Sequence, residues 1–334
     1  MKKTLLALLL VVVFATGLVA ATAVAEVKEI RIAKQYGLAY LPLIVTEEKG
    51  LIEKNIKSTN LGDVKTSWVT LGNGASANDA LLSGSVDYIS GGVAPFIILW
   101  DKSKGTVKAL AALDHTPIYL NTINPEVKSI RDFTDKDRIA VPTVKVSIQA
   151  VILQMAASKE FGNENFNKLD YLTVSLKHPD ALIALLSGKS EVTAHFATPP
   201  FSFQELENSK VRKIIDSYEV LGGPHTMNVL STSKNFYDNN PKINKAVLKS
   251  INQAIAWIKN NKKEAAELYI KATKSNESVN DILSQLNNPQ INYDSAPLRI
   301  TKFSDFLYQI GSINTKPSSW KELFFPDIHH KKGS

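Results

Sequence analysis

The sequence predicts an α/β protein built from two similar lobes. Residues 80–90 read as a helix end, a glycine and a short strand, and residues 184–195 repeat that order later in the chain. Around both repeats, strands alternate with helices, which is typical of open α/β sheets with right-handed crossovers. Such sheets bind ligands at the carboxyl ends of their strands, so two facing lobes predict a central cleft that closes on a small molecule.

Apolar periodicity and helix-ending glycines define the elements of the first lobe. Strands are predicted at 29–33, 66–71, 86–90 and 108–113, and helices from Leu41 and over 75–83. Gly50 and Gly84 follow these two helices, at a position where glycine is favoured. A strand at 227–231 then returns to this lobe, and helices are predicted from Pro241 and over 265–272, 279–286 and 298–310.

The second lobe begins near Thr116. Strands are predicted at 138–141, 171–175, 191–196 and 213–216, and helices over 148–157 and from Pro179. The first of these helices has a single apolar face, and proline suits a first helical position because its missing N–H costs nothing there. We therefore expect lobe 1 to comprise residues 26–115 and 227–328, lobe 2 residues 116–226, and a polar tail residues 329–334. Two crossing segments would then join the lobes and permit hinge bending.

The N-terminus has the pattern of a secretory signal. Lys2 and Lys3 precede an apolar run, and residues 23–25 form a small-x-small cleavage site. We expect residues 1–25 to be cleaved; an uncleaved anchor is the alternative, although the run is short for one. The chain has no cysteine, which excludes disulfides and lipid attachment through cysteine. The expected location is the periplasm, with free secretion as the alternative.

Charge and motifs exclude several function classes. Loss of Lys2 and Lys3 with the signal lowers the formal charge from +7 to +5. Many of the remaining lysines alternate with apolar residues at helical spacing, which indicates a solvated helix face, and we expect no nucleic-acid partner. The sequence has no phosphate-binding loop, nucleophile elbow or HExxH motif, and its histidines lack metal-ligand spacing. We expect no metal, no cofactor and no catalytic residues.

Four candidate ligand-binding residues lie at strand ends of the first lobe. Tyr36 and Tyr40 follow the first strand, where a ring can stack on a planar ligand and a hydroxyl can bond it. The alternative is packing beneath the next helix. Asn73 and Gly74 precede a helix whose N–H groups and positive dipole end suit a carboxylate, sulfonate or nitrate. An ordinary turn is the alternative.

The third strand and its repeat supply further candidates. Gly91 and Gly92 would let a ligand approach the backbone closely, although a plain turn also explains them. By the internal match, His195 and Phe196 occupy the corresponding place in the second lobe. There the imidazole could hydrogen-bond a ligand and the ring could stack on it. A structural histidine is the alternative for His195.

The last candidates join the first predicted strand of lobe 2 to its helix. Thr143 and nearby N–H groups could face the ligand, and Ser147 is favoured as a helix N-cap. Lys145 could supply a counter-charge, although a solvated helix start is the commoner outcome. A residue within 225–228, at the second crossing, is also expected to reach the cleft.

The order and spacing of four stretches, residues 41–51, 72–92, 139–142 and 317–325, resemble a known family. The chain is similar to periplasmic substrate-binding proteins of the nitrate/sulfonate/taurine class, which are related to binders of thiamine pyrimidine precursors. The resemblance spans most of the mature chain. It implies the type II periplasmic binding fold, in which two crossing segments join two α/β lobes around a cleft.

The resemblance also has one departure. Sulfonate binders of this family usually carry a Gly-Ser-Ser-like anion loop where this chain has residues 144–147, of which only Ser147 keeps a hydroxyl. The larger side chains there favour a more apolar or aromatic solute.

The family implies a monomeric binding protein that captures a small organic or anionic solute and delivers it to an ABC permease with its ATPase. It would meet the membrane only through that permease. A ligand sensor docking on a membrane receptor is one alternative. A pyrimidine-synthase-like enzyme is another, but such enzymes carry a cysteine-rich motif that this chain lacks.

Overall fold

The structure is a computed structural model that describes residues 25–334. The expected export signal, except for its last residue, lies outside the described residues. Ten strands are described, in chain order β1 (Glu29–Lys34), β2 (Lys65–Thr70), β3 (Tyr88–Gly92), β4 (Val107–Ala112), β5 (Tyr119–Thr122), β6 (Ile139–Val141), β7 (Thr173–Ser175), β8 (Ala194–Ala197), β9 (Arg212–Asp216) and β10 (Asn228–Ser233).

Fourteen α-helices accompany these strands in the described part of the chain. They are α1 (Leu41–Glu48), α2 (Leu51–Lys57), α3 (Gly74–Leu82), α4 (Val93–Lys102), α5 (Ile148–Phe161), α6 (His178–Ser187), α7 (Phe201–Leu206), α8 (Ser217–Leu221), α9 (Lys234–Asn239), α10 (Pro241–Asn260), α11 (Lys262–Thr273), α12 (Val279–Asn287), α13 (Ile300–Gln309) and α14 (Trp320–Leu323). Gly50 separates α1 from α2 with a left-handed φ of 56°, which glycine adopts at little cost.

The two sheets have the same topology. Their strand orders are β2-β1-β3-β10-β4 and β7-β6-β8-β5-β9. In each sheet four strands run in the same direction, and the fourth strand in the order, β10 or β5, runs antiparallel to both of its neighbours. The predicted pair of similar α/β units is therefore confirmed.

The strand β10 returns to the first sheet after the whole second sheet has been completed. It lies between β3 and β4, and a β-bridge joins Thr226 to His115 just before it. The chain thus passes between the sheets twice, at two segments that lie side by side. Such a paired connection allows one sheet to rotate relative to the other about a common hinge.

The strand β5 was missed in the sequence, where residues 138–141 were predicted as the first strand of the second lobe. All four residues of β5 are buried, including Asn121 and Thr122. Because no polar face alternates with an apolar one, the periodicity that indicates a strand is absent. The strand predicted at 171–175 is shorter than expected, since a 3₁₀ turn occupies Asp170–Leu172.

The long helix α10 covers the outer side of the first sheet. Its apolar stripe, which includes Ile243, Val247 and Ile251, is buried against α1 and α2. Lys242 and Lys245 lie on the exposed side. The lysine-rich helices are therefore amphipathic, as predicted. Among the described residues, no helix combines the length and apolar character that crossing a bilayer requires.

Residues 329–334 pack on the fold. The backbone N–H of Ile300 donates to the carbonyl of Ser334 over 2.7 Å, and Ser334 donates to the carbonyl of Pro297 over 3.0 Å. A polar sequence carries no signal for such backbone pairing, so the expectation of a plain tail missed these contacts.

Candidate functional site

A small cavity lies between the two sheets, at the carboxyl ends of their parallel strands. Its volume is about 30 Å³. Gln35 follows β1, and Gly92 ends β3. Thr143 and Thr198 face them from the loops after β6 and β8. The cavity therefore occupies the place where α/β sheets bind ligands.

Four helices begin at this cavity. Gly74 and Ile148 are the first residues of α3 and α5, His178 is the first residue of α6, and α4 starts directly after Gly92. The first N–H groups of a helix lack partners within the helix, and its N-terminus carries a partial positive charge. Four such ends around one cavity favour a negatively charged ligand.

Three buried donors at the cavity have no hydrogen-bond partner within the described residues. Two are the hydroxyl of Thr198 and the Nδ2 group of Asn228, and both of these residues are about 1 % exposed; the third is the hydroxyl of the partly buried Thr143. A buried donor without an acceptor costs free energy. An acceptor on a bound ligand would remove that cost.

A buried network orients Asn228. The hydroxyl of Tyr40 donates to its Oδ1 over 3.0 Å, so Nδ2 is the polar atom left for a ligand. Its backbone N–H donates to Asp114 Oδ1 over 3.1 Å. Burial raises the pKa of Asp114 to about 8, despite lowering by hydrogen bonds from Thr116 and Asn228. At neutral pH Asp114 is therefore largely protonated.

The cavity lining is neutral. None of the described residues that line it is a lysine, arginine, aspartate or glutamate. Because Asp114 keeps its proton, the network around Asn228 adds no negative charge at the cavity. The lining side chains therefore offer an anion N–H and O–H donors, and the helix ends add their dipoles.

His178 lines the cavity at the end of a chain of buried polar side chains. Its Nδ1 lies 2.8 Å from His195 Nε2, and His195 Nδ1 lies 2.5 Å from Glu205 Oε1. Glu205 Oε2 accepts a hydrogen bond of 2.8 Å from Asn121. His195 and Glu205 are fully buried.

The structure does not bring every predicted residue to the cavity. His195 stands behind His178, and Phe196 is buried in the apolar core. Successive side chains of a strand point to opposite faces, so the two could not share the cleft. Gly91 is also absent from the lining. These three placements correct the sequence prediction.

Asn73 and Lys145 also lie outside the lining. The Oδ1 atom of Asn73 accepts from the N–H of Ser76 over 2.9 Å, so the side chain caps α3. Lys145 is exposed and has a φ of 65°. The structure therefore places Lys145 at a solvated position before α5 and not in the cavity lining.

Six predicted residues do line the cavity: Tyr36, Tyr40, Gly74, Gly92, Thr143 and Ser147. The hydroxyl of Ser147 also caps α5, accepting from the N–H of Ala150 over 3.2 Å. The sequence analysis missed Gln35, Gln149, His178 and Thr198. Thr198 follows the repeated strand, which is the one signal that could have revealed it; Asn228 falls within the stretch expected near the cleft.

The two lobes touch around the cavity. The N–H of Leu38 donates to the carbonyl of Pro199 over 2.9 Å. A methyl group built on Gly92 would lie 3.0 Å from Ile148 Cβ, so α5 packs directly on the glycine backbone. The structure therefore has a closed arrangement of the lobes.

A larger groove of about 580 Å³ adjoins the cavity. The two share Gln35 and Tyr36. Phe201, Ile183 and Tyr269 supply apolar surface to the groove. Its volume is within the range of small-molecule sites, whereas the inner cavity holds only one or two waters.

Comparison with known proteins identifies the family. A sequence profile described as the NMT1-like family matches residues 23–272, which is most of the chain. The chain belongs to the NMT1-like family. A search of curated proteins found no match.

Solved structures share the fold of this family member. The alkanesulfonate-binding protein SsuA from Xanthomonas axonopodis pv. citri bound to MOPS has a TM-score of 0.70 and 17% identity, with 87% of this chain and 96% of that chain covered. The nitrate-binding protein NrtA from Synechocystis PCC 6803 has a TM-score of 0.67 and 17% identity, with 89% and 84% covered. The expected periplasmic binding protein fold is thereby confirmed.

A third structure agrees with these two. The periplasmic aliphatic sulphonate binding protein SsuA from Escherichia coli has a TM-score of 0.64 and 18% identity, with 90% of this chain and 92% of that chain covered. All three proteins are named as binding proteins, and none as an enzyme.

Proposed function

We propose that the chain is the solute-binding component of an ABC uptake system and captures a small anion between its lobes. The observation that carries this proposal is the neutral, donor-rich cavity at which four helices begin. Backbone N–H groups, Thr198 and Asn228 would receive the oxygens of a carboxylate, sulfonate or nitrate.

Binding would be coupled to closure of the lobes. The cavity of about 30 Å³ is too small for an organic anion, so the lobes must separate to admit one and settle further apart around it. Only a closed form lets the solute contact Asn228 and Thr198 together, one from each side of the cleft. The solute would therefore favour the closed form over the open one.

The names of the structurally similar proteins support a small anion as the solute. Two of them are named as sulfonate-binding proteins and one as a nitrate-binding protein. By analogy, the closed form would dock on an ABC permease and release the solute to it, and the chain would act as a periplasmic monomer after removal of residues 1–25. No covalent bond of the solute changes.

An aromatic solute is a second candidate. The groove beside the cavity presents Tyr36, Phe201 and Tyr269, which offer ring faces to a planar ligand such as a pyrimidine. A ligand with an acidic group in the cavity and an aromatic body in the groove would use both spaces.

The proposal is tested by thermal-shift screening followed by calorimetry. The panel contains nitrate, taurine, alkyl sulfonates, aromatic carboxylates and hydroxymethylpyrimidine. We expect stabilisation by an anion. Stabilisation by hydroxymethylpyrimidine alone would favour the second candidate, and the absence of any stabilising small solute would refute solute capture.

Two matched variants locate the site. Thr198→Val removes a hydroxyl that has no hydrogen-bond partner among the described residues, so we expect unchanged stability and a loss of anion affinity of about tenfold or more. Thr232→Val makes the same change at a buried hydroxyl that donates to the Asp87 carbonyl over 2.7 Å, so it should lower stability and leave affinity unchanged. The reverse pattern would place the ligand elsewhere.

A further inference from the structure

The buried chain behind the cavity has a defined direction of proton donation. Glu205 Oε2 accepts from Asn121 Nδ2, and its Oε1 lies 2.5 Å from His195 Nδ1. At the cavity end, the Nε2 amide group of Gln149 lies 3.1 Å from His178 Nε2. An amide nitrogen only donates, so His178 Nε2 is unprotonated.

The direction of the hydrogen bond between the two histidines then follows. His178 is neutral with its hydrogen on Nδ1, and it donates to His195 Nε2 over 2.8 Å. His195 Nε2 accepts this hydrogen bond, so the hydrogen of His195 lies on Nδ1 and is donated to Glu205 Oε1. Both links of this hydrogen-bonded chain therefore donate toward Glu205, which brings the negative charge of a carboxylate into the interior behind the cavity.

No other charged side chain among the described residues compensates this charge through a hydrogen bond or ion pair. The groups that face His178 are Gln149 from α5, His195 from β8, and the Phe201 ring from α7, which stacks on the imidazole at 5.5 Å. On α6 itself, Lys177 and Asp180 are exposed and pair with each other over 3.5 Å.

A buried negative charge behind an anion site opposes anion binding unless a proton neutralises it. We propose that the site binds its anion together with one proton, which His178 carries at the cavity while His195 and Glu205 stabilise the resulting imidazolium. This inference rests on the proposed function, because it assumes that the solute is an anion.

The proton comes from water and enters at His178 Nε2, and no covalent bond of the ligand is made or broken. The Gln149 amide must then turn so that its oxygen accepts from the new N–H. Its NH₂ group becomes free to donate into the cavity. When an anion binds, His178 would thus gain a proton and Gln149 would turn its NH₂ group toward the ligand.

The pKa of His178 agrees with this assignment. Desolvation lowers it well below the ordinary value of 6.5, so the imidazole is neutral at neutral pH when no anion lies beside it. A bound anion raises that pKa, and between the lowered and the raised value binding takes up a proton. In that interval the dissociation constant rises about tenfold per pH unit.

Methanesulfonate is the probe, since its own charge is constant over the range. Its dissociation constant is measured by calorimetry between pH 5.5 and 8.5, in pairs of buffers with different ionisation enthalpies that report proton uptake. We expect weaker binding as the pH rises and uptake of up to one proton. Glu205→Gln should abolish both effects, and His330→Gln, which changes an exposed histidine, should preserve them.

Binding of methanesulfonate with constant affinity and no proton uptake would overturn the inference but leave anion capture intact. Failure of methanesulfonate to bind at any pH would overturn it too, and the solute panel would then judge the proposed function separately. The buffer comparison on the unmodified protein decides the matter even if Glu205→Gln fails to fold.

Discussion

Replacement of Asp114 by asparagine tests the buried network that orients Asn228. The carboxyl is fully buried, one oxygen accepts from the Asn228 N–H, and the Thr116 hydroxyl lies beside the carboxyl. Asparagine keeps the accepting oxygen and puts an NH₂ group at the place of the second one, where the Thr116 hydroxyl can accept from it.

The raised pKa of Asp114 determines whether folding stability rises or falls with pH. The unfolded chain releases the proton near the ordinary value of 3.8, whereas the folded protein keeps it up to about 8. Between these values the unfolded state binds fewer protons, so folding stability falls as the pH rises. Each pH unit in that interval costs about 1.4 kcal/mol, which gives a ceiling of about 4 kcal/mol at pH 7.

Chemical denaturation followed by circular dichroism at pH 4, 5.5 and 7 measures this loss. Asp114→Asn should match the unmodified protein at pH 4 and exceed its stability increasingly toward pH 7. Asp63→Asn, at an exposed position, is the control and should not change the unfolding curve. Equal stabilities at all three pH values, or a less stable Asp114→Asn variant at pH 7, would refute the reasoning.

Two further substitutions test closure and the helix start. Gly92→Ala adds a methyl group 3.0 Å from both Cβ and Cγ2 of Ile148, so methanesulfonate affinity in calorimetry should fall about tenfold. The additional change Ile148→Gly removes both of these atoms and should restore most of the affinity, and no recovery would contradict direct contact between the lobes. Asn73→Ala removes the cap of α3 and should cost about 1 kcal/mol in chemical denaturation, whereas an unchanged midpoint would show that the bond to Ser76 contributes nothing.

The element order was predictable because most strands and helices here bury one face. The stripe of α10 shows this well, since every buried isoleucine on it falls at helical spacing. The repeated glycine-ended helices also located both sheets. β5 escaped detection because its polar residues are buried, so burial and polarity do not correlate there.

The site was harder to predict because the position of a residue along a strand does not determine which way its side chain points. The repeat predicted that His195 lies at the cleft-facing end of its strand, but His195 is the second of the four residues of β8, and its imidazole meets another histidine before it can reach the cavity. His178 is supplied by the start of α6, and only the packing of that helix on the sheet brings it to the lining. Asn228 lies far in sequence from Tyr40, which orients it.

Capture of an anion between the lobes is tested most directly by a crystal structure with 2-bromoethanesulfonate, whose bromine gives an anomalous signal. The sulfonate should lie between the lobes, with its oxygens within hydrogen-bonding distance of Asn228 Nδ2, the Thr198 hydroxyl and the first N–H groups of α5. The bromine should point past Tyr36 toward the groove. A sulfonate bound outside the cleft, or the absence of a bromine signal between the lobes in crystals grown with saturating 2-bromoethanesulfonate, would contradict the account.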